Sequence, residues 1–222
     1  MPDLTPDPMP DRAEPPRDCS LCPRLVTFRE ENRAAYPDWF NGPVPSFGAD
    51  TARLLIVGLA PGLKGANRTG RPFTGDYAGD LLYATLLDFG LATGTYDARP
   101  DDGLTLRDCM ITNAVRCLPP QNKPIGDEVR ACNPFLAARI AALPNLKAIM
   151  ALGRVAHEAV LGAHGLKRAA YPFAHNAIHD LGDDLTLFDS YHCSRYNTNT
   201  RRLTVEMFRN VVGDIRGFLD KS

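Results

Sequence analysis

The sequence predicts an α/β protein organised as a doubly wound parallel sheet. Three observations predict it. Residues 53–59 (RLLIVGL) and 146–152 (LKAIMAL) are apolar without alternation, as strands covered on both faces must be. Predicted strands alternate with helix-period segments along the chain, the order of a doubly wound sheet. Three polar, oddly composed segments, residues 58–80, 112–124 and 190–202, follow three of those strands, and such sheets place their sites beyond the strands' carboxyl ends.

Each element has its own signal. Residues 1–17 are Pro-rich, lack apolar periodicity and are expected to be a disordered tail; residues 18–222 are expected to form one domain. Residues 24–36 suit a short helix closed by Pro37, and 37–50 read as loop. After the strand over 53–59 comes a Gly-rich connection over 60–75, longer than an ordinary loop and therefore a functional candidate. Residues 78–89 have helical spacing and stop at Gly90. A second strand over 106–115 runs into a loop holding Pro119 and Pro120. A helix follows over 127–143, with Asp127 as cap and Pro144 as stop. The third strand is 146–152, followed by a helix over 154–161. A short fourth strand, 185–189, delivers the segment 190–202, and 203–219 is a closing amphipathic helix.

Composition narrows the function. The 222 residues contain no run of about 18 apolar residues, which excludes a membrane-spanning helix. A formal charge of −1 gives no global basic field, although the acids concentrate in residues 1–18 and leave the rest slightly basic. Nucleic-acid binding would therefore rest on a local patch. No basic stretch followed by an apolar run opens the chain, so a cytoplasmic, reducing compartment is expected and the six cysteines do not read as a disulfide framework. Cys19 and Cys22 are spaced to chelate one metal. With Cys117 and Cys132 they offer four thiolates from two separated pairs, which suits tetrahedral zinc or a cubane iron–sulfur cluster; spacing does not choose between them. Cys109 falls inside a strand and reads as core. Cys193 adjoins His192, but neighbours in a strand point to opposite faces, which argues against a Cys–His nucleophile.

The loops carry the rest of the chemistry. Residues 58–76, GLAPGLKGANRTGRPFTGD, hold five glycines that permit close backbone approach to a ligand, and Lys64, Arg68 and Arg71 supply charge. A phosphate-binding P-loop is excluded because Lys64 precedes Gly65 and opens no helix, and no G-x-G-x-x-G is present. Asn113 ends the second strand, where it reads as a turn residue or as a ligand-facing amide. His192 sits among hydroxyls, amides, Arg195, Arg201 and Arg202. His157, His164, His175 and His179 lack such company and read as structural or surface residues.

Together GLAPG…GANRTGRPFTGD, ITNAVRC, HCSRYNTNT and Cys19/Cys22/Cys117/Cys132 resemble, in order and over residues 19–219, the type-5 (B-type) iron–sulfur uracil-DNA glycosylases of the uracil-DNA glycosylase superfamily. The resemblance implies a three-layer α/β/α sandwich around a four-stranded parallel sheet. It implies a [4Fe-4S] cluster on Cys19, Cys22, Cys117 and Cys132, set apart from the chemistry in a structural or DNA-orienting role. It implies hydrolytic removal of uracil and other deaminated or damaged bases from DNA in base excision repair, by a monomer acting at the nucleoid of a bacterium or archaeon, with no membrane partner.

Carried over residue by residue, Gly58, Ala60 and Gly62 present backbone to a flipped nucleotide, and Leu59, Ala60 and Pro61 offer no acid to act on water. Asp76 is the acidic candidate in their place, with a helix N-cap as its other reading. Phe73 matches the aromatic that stacks on the base, Asn113 the amide that reads its edge, His192 the histidine near its O2, and Asn197 a further active-site amide. Lys64, Arg68, Arg71, Arg195, Arg201 and Arg202 are the expected phosphate contacts. Lys64, Cys193 and Arg201 depart from the His, Pro and Gly common in the family, which bears on substrate range more than on reaction class. The competing reading is a non-catalytic, metal-containing nucleic-acid binder on the same fold. An iron–sulfur oxidoreductase lacks any flavin or nicotinamide fingerprint.

Overall fold

Continuous burial of the apolar runs orders this molecule. The structure, a computed structural model, describes residues 13–222; the part of the expected tail over residues 1–12 lies outside the described residues. Helix α1 (Pro23–Ala35) precedes a two-residue strand β1 (Phe47–Gly48). Strand β2 (Leu54–Gly58), buried at every position, leads through one helical turn, α2 (Ala66–Thr69), into α3 (Tyr77–Asp88). A small ribbon of β3 (Ala92–Thr93) and β4 (Thr105–Leu106) precedes β5 (Cys109–Asn113) and α4 (Gly126–Ala141). Then follow β6 (Ala148–Leu152), α5 (Arg154–Ala163), β7 (Ile178–Asp180), β8 (Thr186–Ser190), α6 (Arg195–Asn199) and α7 (Val205–Leu219).

Among the described residues the main sheet has the order β1-β5-β2-β6-β8-β7. The four central strands pair in parallel and are the four that the apolar runs predict. Antiparallel β1 and β7 extend both edges; at two and three residues they are too short for a pattern to show. Successive strand residues point to opposite faces. Leu54, Ile56, Ile111, Met150 and Phe188 pack with α3 and α7, whereas Leu55, Val57, Met110, Ile149 and Leu187 pack with α4 and α5. The result is a three-layer α/β/α sandwich. Because β2 lies between β5 and β6, the crossovers diverge at β2, and a crevice opens beyond its carboxyl end at Gly58. No helix among the described residues is long and apolar enough to cross a membrane.

Three expectations are corrected by long-range contacts. Residues 13–17 are not tail: Ala13 is buried, and the Glu14 carboxylate meets Arg116 at 3.1 Å and Arg139 at 2.9 Å. Helix α4 begins before Asp127, with Ile125 at the N-cap; the Glu128 side chain reaches back to the Ile125 N–H at 2.9 Å and holds Arg24 at 2.7 Å. Arg71, expected at phosphate, is buried. Its guanidinium forks onto the Asp102 carboxylate at 2.9 and 2.7 Å, donates to Thr74 Oγ1 and lies over the rings of Phe47, Tyr83 and Tyr96. It anchors the long connection after β2 and has no face left for DNA.

Asp102→Asn strips the charge partner from a guanidinium that is 5% exposed, so it is expected to lower stability at pH 7 by about 3–5 kcal/mol, measured by urea denaturation. Arg71 holds the Asp102 carboxyl well below the usual range. The pair's contribution is therefore fully present above about pH 4 and is lost only as the pH falls through that lowered value.

Candidate active site and thiol cage

The parallel register of β2 and β5 sets Gly58 opposite Asn113. A Cβ on Gly58 would lie 2.4 Å from Asn113 Oδ1 and 2.5 Å from Phe73 Cζ, so only glycine lets both side chains close on this point. Phe73 takes the left-handed backbone (φ +53°), which aims its ring back over the strand end. The turn is held by Tyr83 Oη donating to Pro72 O at 2.6 Å and Tyr96 Oη donating to Phe73 O at 3.2 Å. The His192 ring, delivered by the segment after β8, stands 5.9 Å from the Phe73 ring at an interplanar angle of 26°. Phe73, Asp76, Asn113 and His192 line one small pocket of about 30 Å³ with Ala60 and Gly62. Its outer side opens into a mouth of about 610 Å³ that Lys64, Tyr77, Asn122, Ser194 and Arg195 border.

Desolvation sets the charge states. Burial pushes His192 down to about 4, so the imidazole is neutral at pH 7 and can offer one N–H. Asp76 caps α3, with Oδ1 accepting from Gly79 N–H at 3.2 Å. Its other oxygen faces the Gly62–Gly65 backbone, 2.4 Å from where a Cβ on Gly65 would sit. Burial pushes the Asp76 carboxyl above its ordinary range, against the opposing pull of the Gly79 and Ala78 N–H groups. Asp76 therefore caps the helix and also lines the pocket.

The remaining expected residues separate. Asn197 is turned to the backbone of its own loop, where Nδ2 donates to His192 O at 2.8 Å; it braces the loop that carries the histidine. Ser194 Oγ caps α6. Lys64, Arg68, Arg195, Arg201 and Arg202 are exposed around the mouth segments, with Arg195 over the Tyr77 ring at 5.3 Å and Arg202 over Tyr191 at 4.6 Å. Asn122 and Tyr77 at the mouth are additions; Asn122 lies in the polar segment after β5, whose composition marks it, but no residue-level signal singles it out. Cys193 is core, its Sγ 3.4 Å from Ala78 O. His157 and His179 share the buried Asp189 carboxylate at 2.8 and 3.2 Å, a structural network at the base of the His192 loop.

Cys19, Cys22, Cys117 and Cys132 line a second cavity with Leu25, Val115 and Phe135. Burial pushes the Cys117 thiol up to about 12 and Cys132 up to about 11, so a cage of thiolates here requires a cationic centre. Among the described residues no three of these sulfurs fall within 4.8 Å of one another. Buried Arg29 also lines the cavity, where Nη1 donates to Cys19 O at 3.0 Å and Nε stands 3.6 Å from the Glu30 carboxylate. The soft donor set and the apolar wall fit a thiolate-ligated metal centre. The cage is not set apart from the pocket: Ala60 lines the pocket and also packs against the Leu25, Val115 and Cys132 cluster that Cys22 and Cys117 join.

A family model described as "Uracil DNA glycosylase superfamily" matches residues 45–216. A "Type-5 uracil-DNA glycosylase" of Thermus thermophilus is 48% identical over 200 residues, which cover 87% of this chain and 90% of that protein. Proteins of the same description from Pyrobaculum aerophilum (40% over 198 residues, 87% of this chain and 86% of that protein) and Mycobacterium tuberculosis (41% over 201 residues, 87% and 75%) are similar across the same share of the chain. On this likeness, and with the strand-end pocket built as described, the chain belongs to the uracil-DNA glycosylase superfamily, among its type-5 members.

Proposed function

We propose that the chain is a monofunctional DNA glycosylase that hydrolyses the N-glycosidic bond of uracil, and of other deaminated or damaged bases, flipped out of DNA. The observation that carries this reading is the convergence of Phe73, Asn113, His192 and Asp76 on one pocket at the carboxyl ends of β2, β5 and β8. The relatives' descriptions support it. A merely DNA-binding protein has no use for an aromatic face, an amide, an imidazole and a carboxylate around one cavity.

The chemistry follows from the residues. A stacked base is out of reach, so the nucleotide is extruded at a cost of a few kcal/mol. Lys64, Arg68, Arg195, Arg201 and Arg202 hold its phosphates. The base enters the mouth, stacks on Phe73 for about 1–3 kcal/mol, and turns its edge toward the inner pocket. Asn113 donates to a carbonyl and accepts from the neighbouring N–H, which matches uracil; cytosine would oppose two donors, at about 1–3 kcal/mol. As the C1′–N bond breaks, its electron pair passes to the base. The neutral His192 N–H meets the developing charge at O2 without the cost of burying an imidazolium. Asp76 faces the cationic sugar and orients the water whose oxygen bonds C1′, the water's proton leaving toward base or solvent. Asn197 acts through the His192 loop, as a positioning residue. Cys19, Cys22, Cys117 and Cys132 would hold a [4Fe-4S] cluster, which would tie the entry to α1, α4 and the loop after Asn113 together and is assigned no redox step.

A duplex with one uracil, treated with the protein and then alkali, tests the reading: strand cleavage is expected, and an intact strand overturns it. His192→Ala is expected to slow single-turnover excision by about 10²–10³. Asp76→Asn keeps a good N-cap, so it is expected to leave the melting temperature nearly unchanged while cutting the rate by a similar factor. The pH profile is expected to lose activity on the acid side as Asp76 protonates, at a value above the ordinary carboxylate range, and to show no limb near pH 6.5 from His192. Asp76→Asn removes that acid limb. Anaerobically purified protein is expected to contain iron and sulfide; zinc without iron reverses the cofactor assignment.

A further inference from the structure

A second recess lies at the other end of α2 from the base pocket. It is a groove of about 430 Å³ bordered by Asp38, Trp39, Phe40, Arg68, Arg99 and Pro100. It has two of the ingredients that single strands of DNA recognise: a flat aromatic and cations beside it. Trp39 is half-buried and backed by the Tyr36 ring, centroids 4.0 Å apart and planes 9° apart, so its indole is braced from behind. Arg17, Arg68 and Arg99 are exposed around it, with Arg17 over the Phe40 ring at 4.8 Å. Asp38 is the opposing charge on the border, and the exposed Asp97 pairs with Arg99 at 3.2 Å.

The groove and the base pocket are joined rigidly. Phe40 N–H donates to Arg68 O, Asn41 N–H to Asn67 O, and Asn67 Nδ2 to Asn41 Oδ1 at 2.9 Å, which fastens the Trp39 segment along α2. Ala66, at the start of that turn, lines the base pocket; Thr69, at its end, lines the groove. The helical rise between them is about 4.5 Å. Arg68 stands on the divide. Its guanidinium lies 2.9 Å from where a Cβ would sit on Gly75, which borders the mouth, while the residue also borders the groove.

We infer that this groove binds the nucleotide next to the flipped one, its base stacked on Trp39 and the intervening phosphates on Arg68 and Arg99. The inference rests on the DNA-glycosylase reading. It gives the enzyme a grip on unpaired DNA beside the lesion that requires no uracil in the adjacent position and reads no sequence, since every base offers a π-face.

Trp39 is the chain's one tryptophan, so intrinsic emission reports this groove directly. The full-length, cluster-loaded protein is titrated with a single-stranded oligonucleotide carrying a central tetrahydrofuran abasic analogue, which cannot be hydrolysed, while anisotropy of a label on the oligonucleotide reports binding. Saturable quenching of Trp39 emission, in step with the anisotropy, is expected. Trp39→Ala is expected to weaken binding about tenfold, and Trp39→Phe, which keeps a ring, to recover most of it. Arg99→Ala is expected to flatten the log–log salt slope by about 0.7, the contribution of one single-strand phosphate. Binding without any change in Trp39 emission, and with equal affinity for Trp39→Ala, overturns the inference while leaving the glycosylase reading intact. Absence of both DNA binding and uracil release overturns the two together.

Discussion

The missing Cβ of Gly58 is the constraint on which the site depends. Parallel pairing brings Gly58 level with Asn113, and Phe73 folds back from the following loop onto the same point. Any larger residue at the strand end would push the amide and the ring apart. Phe73 in turn is held in a backbone region unfavourable to a bulky residue, which costs on the order of 1–3 kcal/mol. That cost is met by the hydroxyls of Tyr83 and Tyr96 on the Pro72 and Phe73 carbonyls and by Gly79, where a Cβ would overlap Phe73 O at 1.7 Å. The buried Arg71–Asp102 pair fixes the same turn from below. The pocket is thus preformed by a chain of steric and hydrogen-bond necessities, none of which involves a ligand.

Much of this was legible in the sequence, and the boundary of legibility has a physical meaning. The four parallel strands declare themselves because both faces are covered, and the three loops because a buried sheet leaves polar, Gly-rich segments nowhere but its ends. Asn113, Phe73, Asp76 and His192 could be placed in those loops by motif, and they do line one cavity. Local sequence does not encode partners far along the chain. Arg71 looked like one more loop cation because Asp102 lies 31 residues away. Residues 13–17 looked unstructured because Pro-rich composition cannot reveal that Arg116 and Arg139 collect Glu14. Asn197 shares a loop with His192, but its bond to the His192 carbonyl depends on how α6 turns.

The relation between thiol cage and base pocket also escaped the sequence, since a C-x2-C beside a tail and an amide at a strand end give no hint of contact. In the fold they share one connection. Ala114 and Val115 donate their N–H groups to Gly58 O and Leu59 O, and the next turn delivers Cys117. The segment that aims Asn113 is therefore pinned at its start by β2 and at its end by the cage. Arg116 strengthens the link: its N–H donates to Cys132 Sγ at 3.4 Å, while its buried guanidinium holds Ala13, Val44 and Ser46. A metal centre held by the four thiols would brace the segment that carries Asn113 without touching the pocket itself.

Burial drives the two ionisable groups of the pocket toward neutrality from opposite sides, Asp76 upward and His192 downward. A pocket that discourages standing charge is suited to a reaction that creates charge as it proceeds. A permanent imidazolium would attract every phosphate and anion in the mouth, and would have to be desolvated before any base arrived. A neutral N–H costs little while waiting and gains most when negative charge develops beside it in a low-dielectric space. The exposed cations, meanwhile, stand outside at the mouth segments, where water screens them. The fold thus separates charge by depth: exposed cations at the surface, groups pushed toward neutrality in the interior.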